Sequence, residues 1–233
     1  VKALPRIGKP TDMAGKVTVK AASETRLPKG IPVIMGTSDS AVEDYASGAI
    51  KPGQCILKLA TAGNVNVMTS KAHPHPETLT YSHVVPGLWY TVTATNAAAI
   101  CQRWFRDNCC AEGTNYEELN ELAAKSPPGS NGVFFHPYLM GERSPYWDPY
   151  LRGGFTGFSM ASDKADMSRA LLEGVAYSLR DCYRTIEKMG LKTHEFILIG
   201  GGTKSQLWSR IICDVFNAPL KCPVICDASF GSA

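Results

Sequence analysis

Four stretches carry residue types that could do chemistry. Asp39 stands in Met35-Gly36-Thr37-Ser38-Asp39-Ser40, directly after a short apolar run. A carboxylate at the mouth of an α/β sheet can serve as general base for a substrate hydroxyl. The same place suits a plain helix N-cap, and by position alone that structural role is the simpler one. Thr61-Ala62-Gly63 lies between two apolar runs and reads as a hairpin turn, whose amides and hydroxyl could also wrap phosphate oxygens. Gly200-Gly201-Gly202-Thr203-Lys204-Ser205 follows a fully apolar run and precedes a helical pattern. Glycines there let backbone N–H groups approach a phosphate beside a helix N-terminus, and they serve equally well in a tight turn that needs glycine for its angles. The spacing matches neither Gly-x-x-x-x-Gly-Lys-[Ser/Thr] nor Gly-x-Gly-x-x-Gly. In the stretch from Pro137 to Arg152, Arg143 and Arg152 could pair with anionic groups, and Tyr146-Trp147 could stack on a ligand or anchor the loop.

These residues need elements to hold them. Ile31 to Met35 reads as a buried strand, with Thr37, Ser38 and Asp39 available to cap a helix of small residues beyond it. Cys55–Leu59 and Val65–Met68 read as strands around the Thr61 turn, and Leu79–Val85 and Leu88–Thr93 as a pair joined at Pro86-Gly87. Helices are expected over Asn96–Asn108 and Tyr116–Lys125, with short strands at Val133–Phe135 and Phe155–Phe158. Leu171, Val175, Leu179, Cys182, Ile186 and Met189 recur at three- and four-residue steps, the stripe of a long helix over about Asp163 to Met189. Phe196–Ile199 then leads into the glycines, and a helix carrying Leu207, Ile211, Ile212 and Val215 follows. Strands alternating with helices indicate an α/β domain.

Composition excludes several classes. With 233 residues, 44% hydrophobic and 19% charged, the chain is ordinary globular sequence and not disordered. A net charge of +3, evenly spread, gives no nucleic-acid footprint, and no run is long enough to span a membrane. The eight cysteines sit mostly in apolar runs, as in a cytoplasmic protein with reduced thiols. Cys222 and Cys226 have no second pair and no histidine nearby, so packing is expected there and not zinc. The first residues carry neither a signal-peptide core nor an initiator methionine, and the chain reads as a piece of something longer.

Taken in order, the pieces resemble the C-terminal half of the FGGY carbohydrate kinases, within the actin-like ATPase (ribonuclease H-like) superfamily. Pro145-Tyr146-Trp147-Asp148-Pro149-Tyr150-x-Arg152-Gly153 is similar to that family's Pro-Tyr-Trp-Asp-Pro-x-x-Arg-Gly loop. Gly157, Asp166-Met167 and Ala170-Leu171-Leu172-Glu173-Gly174 resemble its second signature. Gly200-Gly201-Gly202-x-x-Ser205-x-x-Trp208, with Asp214-Val215, resembles its nucleotide-binding strand–turn–helix. The similarity runs from about Leu4 to Ala233. It departs at Thr37-Ser38 before the aspartate, where the family often has Gly-Gly, and at Ala60, where it has glycine.

The resemblance implies an α/β domain with a mixed sheet flanked by helices and an ATP-dependent transfer of phosphate to a small sugar or polyol. Asp39 matches the catalytic aspartate. Thr61 and Gly63 match the phosphate turn, Ala99 a glycine of the nucleotide cleft, Gly201 and Gly202 the glycines beside the α-phosphate and ribose, and Ser205 a position where some relatives hold adenine. Magnesium would bridge the phosphates, held largely through water, with no side-chain metal ligand expected from this chain. Arg103 and Trp104 look more like the xylulokinase branch, so a ketopentose such as xylulose is the expected acceptor. Glycerol, ribulose and other polyols stay open, as does a non-catalytic nucleotide-binding module, and the Pro-Tyr-Trp-Asp-Pro loop disfavours an actin-like chaperone or filament protein. Residues 1–30 would connect to an N-terminal sugar-binding domain that this chain lacks and that carries most sugar-choosing side chains. Residues 31–233 would form the nucleotide-binding domain, itself cut short at its C-terminus. The fragment alone is expected to be inactive. Partners are expected to be ATP, the sugar and that domain, with a homo-oligomer left open and neither nucleic acid nor membrane involved.

Overall fold

Short apolar runs punctuated by glycine turns build a layered α/β structure in the computed structural model, which describes residues 7–233. Val1–Arg6, the start of the expected connecting segment, lie outside the described residues. The first elements are β1 (Met13–Lys16), α1 (Val19–Thr25), β2 (Pro32–Ile34) and α2 (Asp39–Ala46). Next come β3 (Gln54–Leu59), β4 (Gly63–Thr69), β5 (Leu79–Ser82), β6 (Trp89–Thr95), α3 (Ala99–Cys109) and α4 (Tyr116–Ala124). The remainder is β7 (Phe134–His136), β8 (Gly154–Thr156), α5 (Lys164–Lys188), β9 (Glu195–Ile199), α6 (Gln206–Phe216), β10 (Leu220–Lys221) and α7 (Ala228–Ser232).

Six strands form one mixed sheet in the order β10-β9-β3-β4-β6-β5, parallel across β10, β9 and β3 and antiparallel from β3 to β5. Side chains alternate across it. Cys55, Leu57, Leu59, Val65, Val67 and Leu198 join the core under α3, α5 and α6, whereas Ile56, Met68, Tyr90, Val92, Ile197 and Ile199 face α2. Close helix contact on that second face uses Gly231 of α7, where a Cβ would lie 2.0 Å from the Val42 carbonyl oxygen of α2.

Helix α5 exceeds its predicted stripe. Besides Leu171, Val175, Leu179, Cys182 and Ile186, it buries Asp166, Ser168, Arg169 and Glu173, because neighbours pack around most of its circumference. The polar ones have defined tasks. Arg169 pairs with Glu173 at 2.7 Å, and Glu173 also accepts from the Gly129 amide and the Ser130 hydroxyl, both at 3.1 Å. Asp166 accepts from Ser126 Oγ at 2.6 Å and Asn131 Nδ2 at 2.9 Å. Gly174 lets β7 approach, since a Cβ there would sit 2.2 Å from the Phe135 carbonyl oxygen. The second signature therefore clamps the turn before β7.

Two expectations need correction. Ile31–Met35 is not a buried strand: among the described residues β2 pairs only with β1, in a separate two-stranded ladder, and Val33, Ile34 and Met35 are 45%, 51% and 44% exposed. The six-stranded sheet forms without it, and an apolar run does not by itself reveal what covers it. Residues before 31 are also more than a plain connection, for they fold β1 and α1, the latter capped by the Thr18 hydroxyl.

Candidate functional site

The parallel strands β3 and β9 end at Leu59 and Ile199, and beyond them lies a cavity of about 960 Å³. Open α/β sheets place ligands at this carboxyl end. The β3–β4 hairpin tip is fixed by α3: the amides of Ala98 and Ala99 donate to the carbonyls of Thr61 (2.9 Å) and Ala60 (2.8 Å). The N-terminus of α3, which has no side-chain cap, is thus satisfied by the turn, and Thr61 stays exposed on the cavity wall.

The glycine triplet packs against the end of β3. Gly200 has φ +98°, and a Cβ on it would meet the Leu59 carbonyl oxygen at 2.6 Å; one on Gly202 would meet the Leu59 side chain at 2.4 Å. Both are glycines because β3 is close. Gly201 has open space around it and presents bare backbone to the cavity. The triplet does not itself start the following helix. A 3-10 turn spans Gly201–Lys204, and Ser205 then caps α6 by accepting from the Trp208 amide at 3.1 Å.

Five of the expected nucleotide residues, Thr61, Ala99, Gly201, Gly202 and Ser205, line this one cavity. Gly63 does not. It is buried beneath the tip, where a Cβ would sit 2.8 Å from both Leu179 Cδ2 and Thr95 Cγ2. The lining also includes residues that sequence reasoning missed, among them Gln102, Glu117, Asn120 and Glu121. Asn120 Oδ1 accepts from Ser205 Oγ at 3.0 Å and Gln102 Nε2 at 3.2 Å, so Ser205 orients Asn120 while capping its own helix. The i, i+3, i+4 spacing of Glu117, Asn120 and Glu121 on one helix face was the available signal.

Asp39 begins α2 on the other side of the sheet. The cap is Ser38, whose hydroxyl accepts from the Ala41 amide at 3.3 Å. Asp39 is exposed, with Oδ1 accepting from the Ser40 amide at 2.8 Å. Its neighbours Ser38 and Ser40 line a second cavity of about 240 Å³, together with Asn64, Asn66, Tyr90 and Arg143. The expected loop residues divide. Arg143 and Trp147 face this cavity, Tyr146 is tied to α5 through Asp181 (2.6 Å), and Arg152 donates to the carbonyls of Pro149 and Leu151 within its own loop. Buried Glu142 holds the loop to β6 by accepting from Thr95 Oγ1 (2.5 Å) and the Asn96 amide (2.9 Å).

Beneath the second cavity, Asp44 is buried and accepts from Asn66 Nδ2 at 3.1 and 3.2 Å. Burial pushes its carboxyl up from 3.8 to about 7, with the Asn66 hydrogen bond opposing. The folded state therefore binds the proton more tightly than the unfolded chain, and stability falls as pH rises from about 4 to 7. The full difference corresponds to roughly 4 kcal/mol. Asp44→Asn is expected to remove that slope and to stabilise the protein at pH 8 relative to pH 5, as read by urea melts of the intact protein at both values. An unchanged slope would remove Asp44 as its source.

The model for the C-terminal domain of the FGGY family of carbohydrate kinases matches residues 59–230. The chain belongs to that family. A xylulose kinase of Staphylococcus epidermidis is 34% identical over 219 residues, 93% of this chain and 44% of its own. A gluconokinase of Bacillus subtilis is 29% identical, covering 85% of this chain and 41% of its own. The crystal structure of xylulose kinase from Rhodospirillum rubrum superposes with a TM-score of 0.86 at 30% identity, over 98% of this chain and 47% of that one. The chain thus spans less than half the length of these relatives, and its mixed sheet with helices on both faces is their actin-like ATPase (ribonuclease H-like) fold. No helix among the described residues is long and apolar enough to cross a membrane.

Proposed function

We propose that residues 31–233 form the nucleotide-binding half of an ATP-dependent sugar kinase, in which Asp39 takes the proton from an acceptor hydroxyl as that oxygen attacks the γ-phosphorus. The observation that carries this reading is the cavity at the ends of β3 and β9, which Thr61, Ala99, Gly201, Gly202 and Ser205 line together. Its donors are of the kind that cradle phosphates: an exposed hydroxyl on a hairpin tip, a bare glycine backbone, and Lys204. Magnesium, carried with the nucleotide, would supply neutralisation of the charge that develops on the transferred phosphoryl group.

A ketopentose such as xylulose is the first acceptor, following the xylulose kinases among the relatives; the gluconokinases make an aldonate the second. A sugar-binding half would precede this one and close over it, so the piece alone would not turn over. The exposed Val33, Ile34 and Met35 on the β1–β2 ladder are suited to meet that half. Eight free thiols suit the reducing cytoplasm.

The test is phosphoryl transfer from ATP, by the intact protein, to xylulose, gluconate, glycerol and ribulose. Acceptor-dependent ADP release with at least one of them is expected. Nucleotide binding without transfer to any would favour the non-catalytic module, and absence of both would sink the kinase reading.

A further inference from the structure

Helix α2, which begins at Asp39, has two buried side chains, Ala41 and Asp44. Ala41 is small and apolar, so Asp44 is the buried group able to fix the helix in one place over the sheet. It does so through Asn66 of β4, an interior strand between β3 and β6. Asp44 is 1% exposed and Asn66 3%. Asn66 Nδ2 donates to both carboxyl oxygens, at 3.1 and 3.2 Å, while Asn66 Oδ1 is buried without a partner among the described residues. With Asp44 ionised, two groups stay unsatisfied, a buried charge and a buried carbonyl oxygen. Lys58 of β3, the cation that attracts Asp44, is already paired with Glu43, and Glu43 repels it. The remaining titratable neighbours offer no counter-ion. Cys55 of β3, Tyr90 of β6 and Cys226 ahead of α7 are kept neutral by burial, Asp227 is acidic, and α7 carries no titratable side chain over Ala228–Ser232.

Resting on the kinase reading above, we infer that Asp44 holds a proton shared with Asn66 Oδ1, and that this acid–amide pair is the clamp that positions Asp39. One carboxyl oxygen donates its O–H to Asn66 Oδ1 while the other accepts from Nδ2, giving two hydrogen bonds between planar groups set edge to edge. The χ2 torsions of Asp and Asn are broad, so the turn from the observed geometry is cheap. A single proton thus satisfies the open acceptor and removes the buried charge, each costly to leave. The burial that raises Asp44 to about 7 acts in the same direction. As pH rises through about 7 the proton leaves to water, the pair opens, and a bare carboxylate remains beneath α2. The helix has eight residues and Asp39 is the first, so a displacement at Asp44 carries along the helix to Asp39. Asp44 is therefore a positioning residue that acts through Asp39. Misplacing a reacting group by about 1 Å can cost about 10²-fold in rate.

The test compares the intact protein as wild type, Asp44→Asn and Asp44→Ala over about pH 5 to 9. With aspartate labelled at the carboxyl carbon, the Asp44 NMR signal is identified by its loss in Asp44→Asn. It is expected to titrate near pH 7, with the Asn66 side-chain amide shifting alongside it. In steady-state kinetics the wild-type kcat should fall about 10-fold or more as pH rises past about 7, while the ATP KM stays unchanged. Asp44→Asn gives Asn66 Oδ1 a permanent donor and should hold kcat to the alkaline end. Asp44→Ala has no pair to form and should show the lowered kcat at every pH, with melting temperatures separating displacement of α2 from lost folding. A carboxyl that titrates near the ordinary value of about 4 overturns the clamp. An alkaline loss of kcat that persists in folded Asp44→Asn overturns its link to Asp39. Absence of transfer in the wild type overturns the kinase reading, and the carboxyl signal still decides whether Asp44 holds the proton.

Discussion

Asp39→Asn in the intact protein is expected to lower kcat for sugar phosphorylation about 10²–10⁴-fold, the usual contribution of a positioned general base. ATP affinity should persist, because the cavity proposed for the nucleotide lies past the ends of β3 and β9 and Asp39 is not among its walls. The substitution is a clean one. Asparagine keeps an Oδ1 for the Ser40 amide, now at 2.8 Å, and the cap of α2 is the Ser38 hydroxyl, so the helix start survives. What is lost is the charge, worth only about 0.3–1 kcal/mol to the helix dipole. A capping residue would give the opposite pattern, with reduced melting temperature and retained kcat. Rapid-mix measurement of the chemical step together with calorimetric ATP binding decides between them, and an undiminished kcat would remove Asp39 as the base.

The largest effect on stability is expected at Trp208. Its side chain is fully buried between α6 and α5, and Nε1 donates to the Leu172 carbonyl at 3.0 Å. Trp208→Ala removes that hydrogen bond and opens a void that the surrounding helices cannot fill, at a cost of about 3–5 kcal/mol. For a domain of this size the melting temperature should fall by roughly 6–20 °C. Because Trp208 also lines the cavity proposed for the nucleotide, bound ATP should recover less stability in the variant than in the wild type. Differential scanning with and without nucleotide measures both, and a drop of only about 2 °C would show that the site collapses without a cavity.

Much of this was legible in local pattern. The β3–β4 hairpin, the β5–β6 pair at Pro86-Gly87 and the 25-residue α5 each follow from periodicity and turn chemistry that act over a few neighbouring residues. Glycines 200 and 202 were marked as turn or ligand residues, and the approach of Leu59 shows why no side chain fits there. The departure at Ile31–Met35 has a plain cause. β2 was read as buried because its apolar residues are the right kind, but burial depends on which element arrives to cover them. Gly63, which the resemblance puts in the phosphate turn, lies beneath the hairpin tip, where Leu179 and Thr95 leave no room for a Cβ.

Residue order alone determined the α/β class, the family resemblance and the short list of chemical residues, since each rests on neighbours in sequence. Tertiary structure decided the rest. It set Ser205 against Asn120, 85 positions away, and carried Arg143 of a long loop to the same cavity as Asn66 of β4. Such meetings depend on the sheet order and on the helices folded over each face, which no spacing along the chain encodes.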